Sequence, residues 1–209
     1  GTSHLSAHIR WGCVSPLEPA AAARETRGGE PFVRQLCWRD FHHQVLAAFP
    51  ELPRRDYRPR GDRWSRSEQV FEAWREGRTG YPLVDAGMRQ LRAEGYMHNR
   101  ARMAVGSFLT KDLHVDWRKG AWHFWDLLSD GEIADNAGNW QCIAGTGNDT
   151  RPNRVMSPVR QAERFDPDGI YVRRWVPELA GVRGKAIFRP WLMEGFEDLG
   201  DPEPIVDHD

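Results

Sequence analysis

A chain of 209 residues is long enough for one domain with a substantial core and a pocket inside it. Cys13, Cys37 and Cys142 are odd in number and scattered, which argues against a disulfide framework or a C-x-x-C metal site and fits a reducing, cytoplasmic setting. A net charge of −1 gives no overall attraction to nucleic acid, and no apolar run approaches the roughly 20 residues needed to span a bilayer, so a soluble, metal-free protein away from membranes is expected.

In chain order, "GTSHLS" places the hydroxyls of Thr2, Ser3 and Ser6 ahead of a segment able to start a helix, a weak signal for a phosphate site. Phe32, Val33, Leu36, Cys37, Phe41 and Val45 form one period-3.6 stripe. On the same helix Gln35, Trp38 and Arg39 fall at i, i+3 and i+4, so an amide, an indole and a guanidinium project together and suit a nucleotide. Ser65 and Glu68 have capping-box spacing ahead of Val70, Phe71 and Trp74. Leu83, Val84, Met88 and Leu91 make a second stripe, with Pro82 suited to the first turn.

A helix starting near His98 brings Asn99, Arg102 and Met103 onto one face, with Arg100 beside them. That face is polar where the helix should enter the core. Trp122, Trp125 and Leu128 form a third stripe, followed by "DLLSDGEIADNAGNW", which offers Asp130 and Glu132 and then Asn136. An Arg102–Asp130 pair is predicted, worth little as a stabiliser but useful as a fixed field for a ligand. "RGGEP", "FPELPRRDYRPRGD", "REGRTGYP" and "AGTGNDTRPN" read as long connections of the kind that wrap a pocket. After Pro190 the pattern weakens, and a surface-hugging or partly ordered tail is expected. Period-2 alternation is nearly absent, so the fold is expected to be all-α. Arginines cluster in "RRDYRPRGDRWSR", "HNRAR" and "TRPNRVMSPVRQAERF", so a one-sided positive surface is possible on a neutral chain. Ten tryptophans exceed what a core of this size needs.

Taken in order, "TSHLS", "FVRQLCWRDF", "EGRTGYPLVDAGMRQL", "GYMHNRARM", "KDLHVDWRKG", "DGEIADNAGNWQ" and "RQAERFDPDGIYVRRWVPEL" closely resemble the flavin-binding domain of the DNA photolyase and cryptochrome family. The resemblance runs from Thr2 almost to the C-terminus. It implies a helical domain, residues 1–209, that holds FAD, with the family's N-terminal α/β antenna domain absent from this chain; the opening at the first FAD motif favours a catalytic-domain fragment over a natural short form. By that match Thr2, Ser3, Leu5 and Ser6 form the FAD phosphate segment, and Arg39, Asn99, Arg102, Asp130, Glu132 and Asn136 surround the cofactor. Trp140, Trp117 and Trp64 match the family's electron-transferring triad, while Trp74, Trp122 and Trp125 are expected as ordinary core indoles. Gln35, Trp38, Asn99, Arg100, Met103 and Cys142 match the cavity that receives a flipped-out dinucleotide, and Arg154 matches a DNA phosphate contact.

Four positions depart from the family pattern. His4 stands for an Arg of the phosphate segment, Gln35 for a Glu, Cys142 for a second cavity Trp, and Glu132 for an Asp. "MHNRARM" is similar to the cyclobutane-dimer enzymes rather than to the (6-4) branch. The function implied is that of a monomeric, class I-like cyclobutane pyrimidine dimer photolyase, a carbon–carbon lyase acting on damaged DNA by light-driven electron transfer from reduced FAD. Two alternatives stay open. One is a cryptochrome-like blue-light receptor, against which Asn136 stands as the photolyase choice near flavin N5; the other is a DNA-binding flavin module without turnover.

Overall fold

Most of the helices begin where the chain supplies a polar cap or a first-turn proline, and three end at a glycine that can turn left-handed. In the computed structural model, which describes residues 2–148 and 151–208, this gives α1 (Ser6–Arg10), α2 (Leu17–Glu25), α3 (Glu30–Ala48), α4 (Glu68–Glu76), α5 (Pro82–Glu94) and α6 (Asn99–Ser107). A π-helical turn (Phe108–Asp112) extends α6, and α7 (Trp117–Leu127), α8 (Ile133–Ala144), α9 (Pro158–Phe165) and α10 (Ile170–Trp175) follow, with short 3-10 turns after them. Ser67, Asp116 and Ser157 cap α4, α7 and α9 by accepting backbone N–H bonds, and Gly77, Gly95 and Gly145 end α4, α5 and α8 with positive φ. The fold is all-α: among the described residues the β-pairing is a single isolated bridge, Ser65 with Val115.

Helix α5 is the centre of the core. Its stripe of Leu83, Val84, Met88 and Leu91 is buried as the periodicity predicts, and α4, α6, α9 and α10 pack around it. Trp74, Phe108, Trp117, Ile187 and Phe188 complete the same apolar cluster. Helix α8 lies to the other side, packed against α3, α6 and α7. Gly120 of α7 makes that packing possible: a Cβ there would lie 2.3 Å from Cη2 of Trp140.

The structure corrects three expectations. The stripe on α3 is helical, but Cys37 and Phe41 are exposed and the buried residue of that helix is His42, so the apolar stripe is not the buried face. On α7 the buried face is Trp117, Gly120, Ala121 and Phe124, running on to Leu128, so Trp122 is exposed and Trp125 only half-buried. Indoles count as apolar in a periodicity yet rest readily at a surface. The α4 cap is Ser67 and not Ser65, whose amide instead donates to His114 O at 2.6 Å. Trp64 is half-buried against the core. The tail hugs the surface, one of the two states expected of it: Ile205 N donates to Thr79 O at 3.0 Å and Tyr81 Oη donates to Val206 O at 2.8 Å. The connection after α8 includes Asp149 and Thr150, which lie outside the described residues.

Candidate functional site

The start of α6 sets the site. His98 caps the helix by accepting from Arg100 N at 3.1 Å, which requires an unprotonated Nδ1. Burial first, and then the nearby guanidiniums of Arg100 and Arg102, hold the His98 pKa below its ordinary value, so the acceptor form is the favoured one. One turn on, Arg102 is pinned from two sides: Nε donates to Met97 O at 2.6 Å and Nη2 donates to Asp130 Oδ2 at 2.8 Å. The Arg102–Asp130 pair predicted from the sequence is therefore present, with the Asp130 side chain only 4% exposed.

Asp130 also ties the N-terminal segment to the site. Ser6 Oγ donates to its Oδ2 at 2.7 Å, Arg10 Nε donates to Gly131 O at 2.7 Å, and Trp11 Nε1 donates to Ser129 O at 2.9 Å. The Ser6 hydroxyl thus serves a carboxylate and caps no helix. Arg39 on α3 pairs with Glu132 at 3.1 Å, and His42 Nδ1 meets Asp135 Oδ1 at 2.7 Å. Asn136 Nδ2 donates to Ala121 O at 2.7 Å, fixing its amide in the wall of the site.

Between α3, α6 and α8 these groups enclose a cavity of about 760 Å3. It brings together Thr2, Ser3, Leu5, Ser6, Gln35, Trp38, Arg39, Asn99, Arg100, Arg102, Asp130, Glu132 and Cys142, all predicted site residues. A smaller space of about 150 Å3 adjoins it, shares Asn99, Arg102, Asp130, Glu132 and Cys142, and adds Met103, Asn136, Trp140 and Arg154. Trp38 is half-exposed in the larger wall, with its ring edge-on to Phe41 at 5.5 Å.

Trp64 and Trp117 line neither space. Trp140 rests on Gly120, Trp117 sits one turn earlier on α7, and the residue after Trp64 is paired with Val115. Sequence reasoning missed Tyr96, His98, His42, Asp135 and Asn139, which also line the larger cavity. A signal existed for two of them, because Asp135, Asn139 and Cys142 recur at i, i+4 and i+7 on α8.

Residues 32–209 match the family model described as the FAD binding domain of DNA photolyase. The chain belongs to this photolyase family. It is 60% identical over 210 residues to a deoxyribodipyrimidine photo-lyase of Streptomyces griseus, covering 99% of this chain and 46% of that protein. The crystal structure of a bacterial class III photolyase from Agrobacterium tumefaciens superposes with a TM-score of 0.93 at 43% identity, over 99% of this chain and 46% of that one. A Synechocystis cryptochrome superposes at 0.91 and 36% identity, with the same coverage. The chain spans about half the length of the relatives it matches.

The residues present fit the family's FAD. The larger cavity falls in the roughly 300–1,000 Å3 range of cofactor pockets, and Arg10, Arg39, Arg100 and Arg102 give it positive charge for a pyrophosphate. Asp130 Oδ1 is buried without a hydrogen-bond partner. Such an oxygen needs a donor, and the sugar hydroxyls of a dinucleotide supply one. Among the described residues no helix is long and apolar enough to cross a membrane.

Proposed function

We propose that residues 1–209 form the catalytic domain of a cyclobutane pyrimidine dimer photolyase, which repairs DNA by light-driven electron transfer to a flipped-out dimer. The observation that carries this reading is the pair of adjoining cavities joined through Asn99, Arg102, Asp130 and Cys142, one large enough for a dinucleotide cofactor and walled on its open side by Trp38. FAD, when bound, supplies the photo-excited electron.

The chain supplies position and electrostatics. Arg102, held by Asp130 and Met97 O, keeps a fixed positive charge where the cofactor ring gains negative charge. Asn136 offers a neutral amide in the same wall, where a carboxylate at that position would repel that charge. Trp38 presents an indole face on which an unstacked base can rest. Arg100 and Arg154 stand at the two cavities as phosphate contacts that hold the strand without reading sequence. Trp140, Trp117 and Trp64, in that order outward, serve as the route by which electrons reach the cofactor. The three cysteines, all free, suit a reducing cytoplasm, and the protein acts as a monomer.

The test is a light-dependent assay on single-stranded DNA carrying one thymine dimer, with the protein reconstituted with FAD. Dimer loss in the light and none in the dark is expected. Binding without repair would mark a DNA-binding flavin module, and photoreduction without repair a receptor; either result overturns the proposal.

A further inference from the structure

Three carboxylates, Asp130, Glu132 and Asp135, line both cavities. Asp130 is matched by Arg102 and Glu132 by Arg39. Among the described residues, the partner of Asp135 is His42 alone, at 2.7 Å. The pair is built into the packing of α3 on α8. His42 is buried, its ring lies on Gly138, where a Cβ would come within 2.6 Å of Cδ2, and it tilts against Trp38 with centroids 6.0 Å apart. The acceptor-only carboxylate dictates that Nδ1 carries the donated proton. That bond occupies Oδ1 of Asp135 and leaves Oδ2 for a ligand; the Asp135 side chain is 31% exposed against 5% for His42.

An ionised carboxylate accepts hydrogen bonds and repels phosphate, so it selects a group bearing N–H or O–H. The wall beside it, Trp38 with Gln35 one turn earlier, suits a planar base with a polar edge. We propose that Asp135, oriented by His42, accepts the imide N3–H of a thymine in the flipped lesion and so selects that base. Asp135 contacts the substrate, and His42 is its positioning residue. The assignment rests on the photolyase reading above.

The experiment compares three single-stranded oligonucleotides at fixed salt: undamaged, carrying a thymine dimer, and carrying the same dimer methylated at N3. The wild-type holoprotein is expected to lose about tenfold or more in dimer affinity on methylation, the scale of a hydrogen bond to a charged group. Asp135→Ala should be weaker by a similar factor on the plain dimer and respond to methylation by less than about threefold, since no acceptor remains. Asp135→Asn keeps a carbonyl acceptor and should recover part of the sensitivity. His42→Phe should lose sensitivity while its FAD absorption is retained, which a merely structural defect would not produce.

Equal methylation losses in wild type and Asp135→Ala would overturn the assignment. So would an Asp135→Ala protein that loses FAD but keeps its dimer preference, because the carboxylate would then serve the cofactor. A wild-type protein with no preference for the dimer would overturn the photolyase reading itself. The methylated ligand probes the wild-type protein directly, so the test stands even if a variant fails to fold.

Discussion

Asp85 is fully buried and yet accepts three hydrogen bonds, from Thr79 N at 2.8 Å, Thr79 Oγ1 at 2.7 Å and Gly80 N at 3.0 Å. Burial pushes its carboxyl up to about 7, against those donors and Arg89, which pull it down. The folded state therefore binds this proton more tightly than the unfolded chain, whose Asp titrates near about 3.9. The stability it contributes is fully present below about pH 4 and is lost as pH rises through about 7. Denaturant midpoints from pH 5 to 8 should fall for the wild type and fall less for Asp85→Asn, where Asp201, pushed up to about 6 by burial, accounts for the remaining slope; a wild-type profile no steeper than that of the variant would show that the Asp85 carboxyl titrates normally. At the site, Asn136→Asp should slow complete photoreduction of bound FAD and leave its dark binding intact, because a carboxylate would face the negative charge that Arg102 stabilises. Identical light doses for full reduction of both proteins would remove Asn136 from the mechanism.

At the level of elements, α6 depends on a cap that titrates. With the His98 pKa lowered, its contribution is present in full above the unfolded value of about 6.5 and is lost as pH falls toward the lower folded value. Protonation removes the acceptor for Arg100 N and adds a charge beside two guanidiniums, so α6 should loosen and FAD should dissociate more readily from pH 7 down to 5. His98→Asn, a good cap that does not titrate, should flatten that dependence. Helix α3 carries the stacking surface of the proposed lesion site. Trp38→Ala should weaken dimer binding by roughly 1–3 kcal/mol, the usual loss for one base–aromatic contact, and affect undamaged DNA much less. Equal losses on both strands would move the lesion site away from Trp38.

These helices also differ in how far the sequence foretold them. The stripe on α5 was legible because protein surrounds it and burial follows the 3.6-residue period. The stripe on α3 was legible as a helix but not in its exposure, since the residue that α3 buries is His42, which no apolar period marks. The phase of α7 was misread because Trp122 and Trp125 carry apolar weight without needing a buried position. The cavity residues on α6 and their partner Asp130 were legible from charge placed where a core was due. The His42–Asp135 pair was not, because its members lie 93 positions apart and only the packing of α3 on α8 joins them.

For the whole molecule, the proposed link between surface and site is a set of three tryptophans. Trp140 is buried in the wall of the smaller cavity, its ring 5.0 Å from Phe124. Trp117 is fully buried one turn before Gly120, with Nε1 donating to Asp56 Oδ1 at 2.8 Å. Trp64 is half-buried, joined to the start of α7 through the Ser65–Val115 bridge. If electrons enter by this route, replacing any of the three by Phe should slow photoreduction of oxidised FAD and spare its dark binding. Trp117→Phe leaves Asp56 paired with Arg118 at 2.7 Å, so that variant should still fold. A separate perturbation acts on geometry alone. Gly120→Ala puts a methyl 2.3 Å from Trp140 Cη2 and forces the indole to shift. It should lower both the melting temperature, through overpacking of about 1–3 kcal/mol, and the photoreduction rate. Normal photoreduction in all three Phe variants would take the tryptophans out of the electron path and return them to the core.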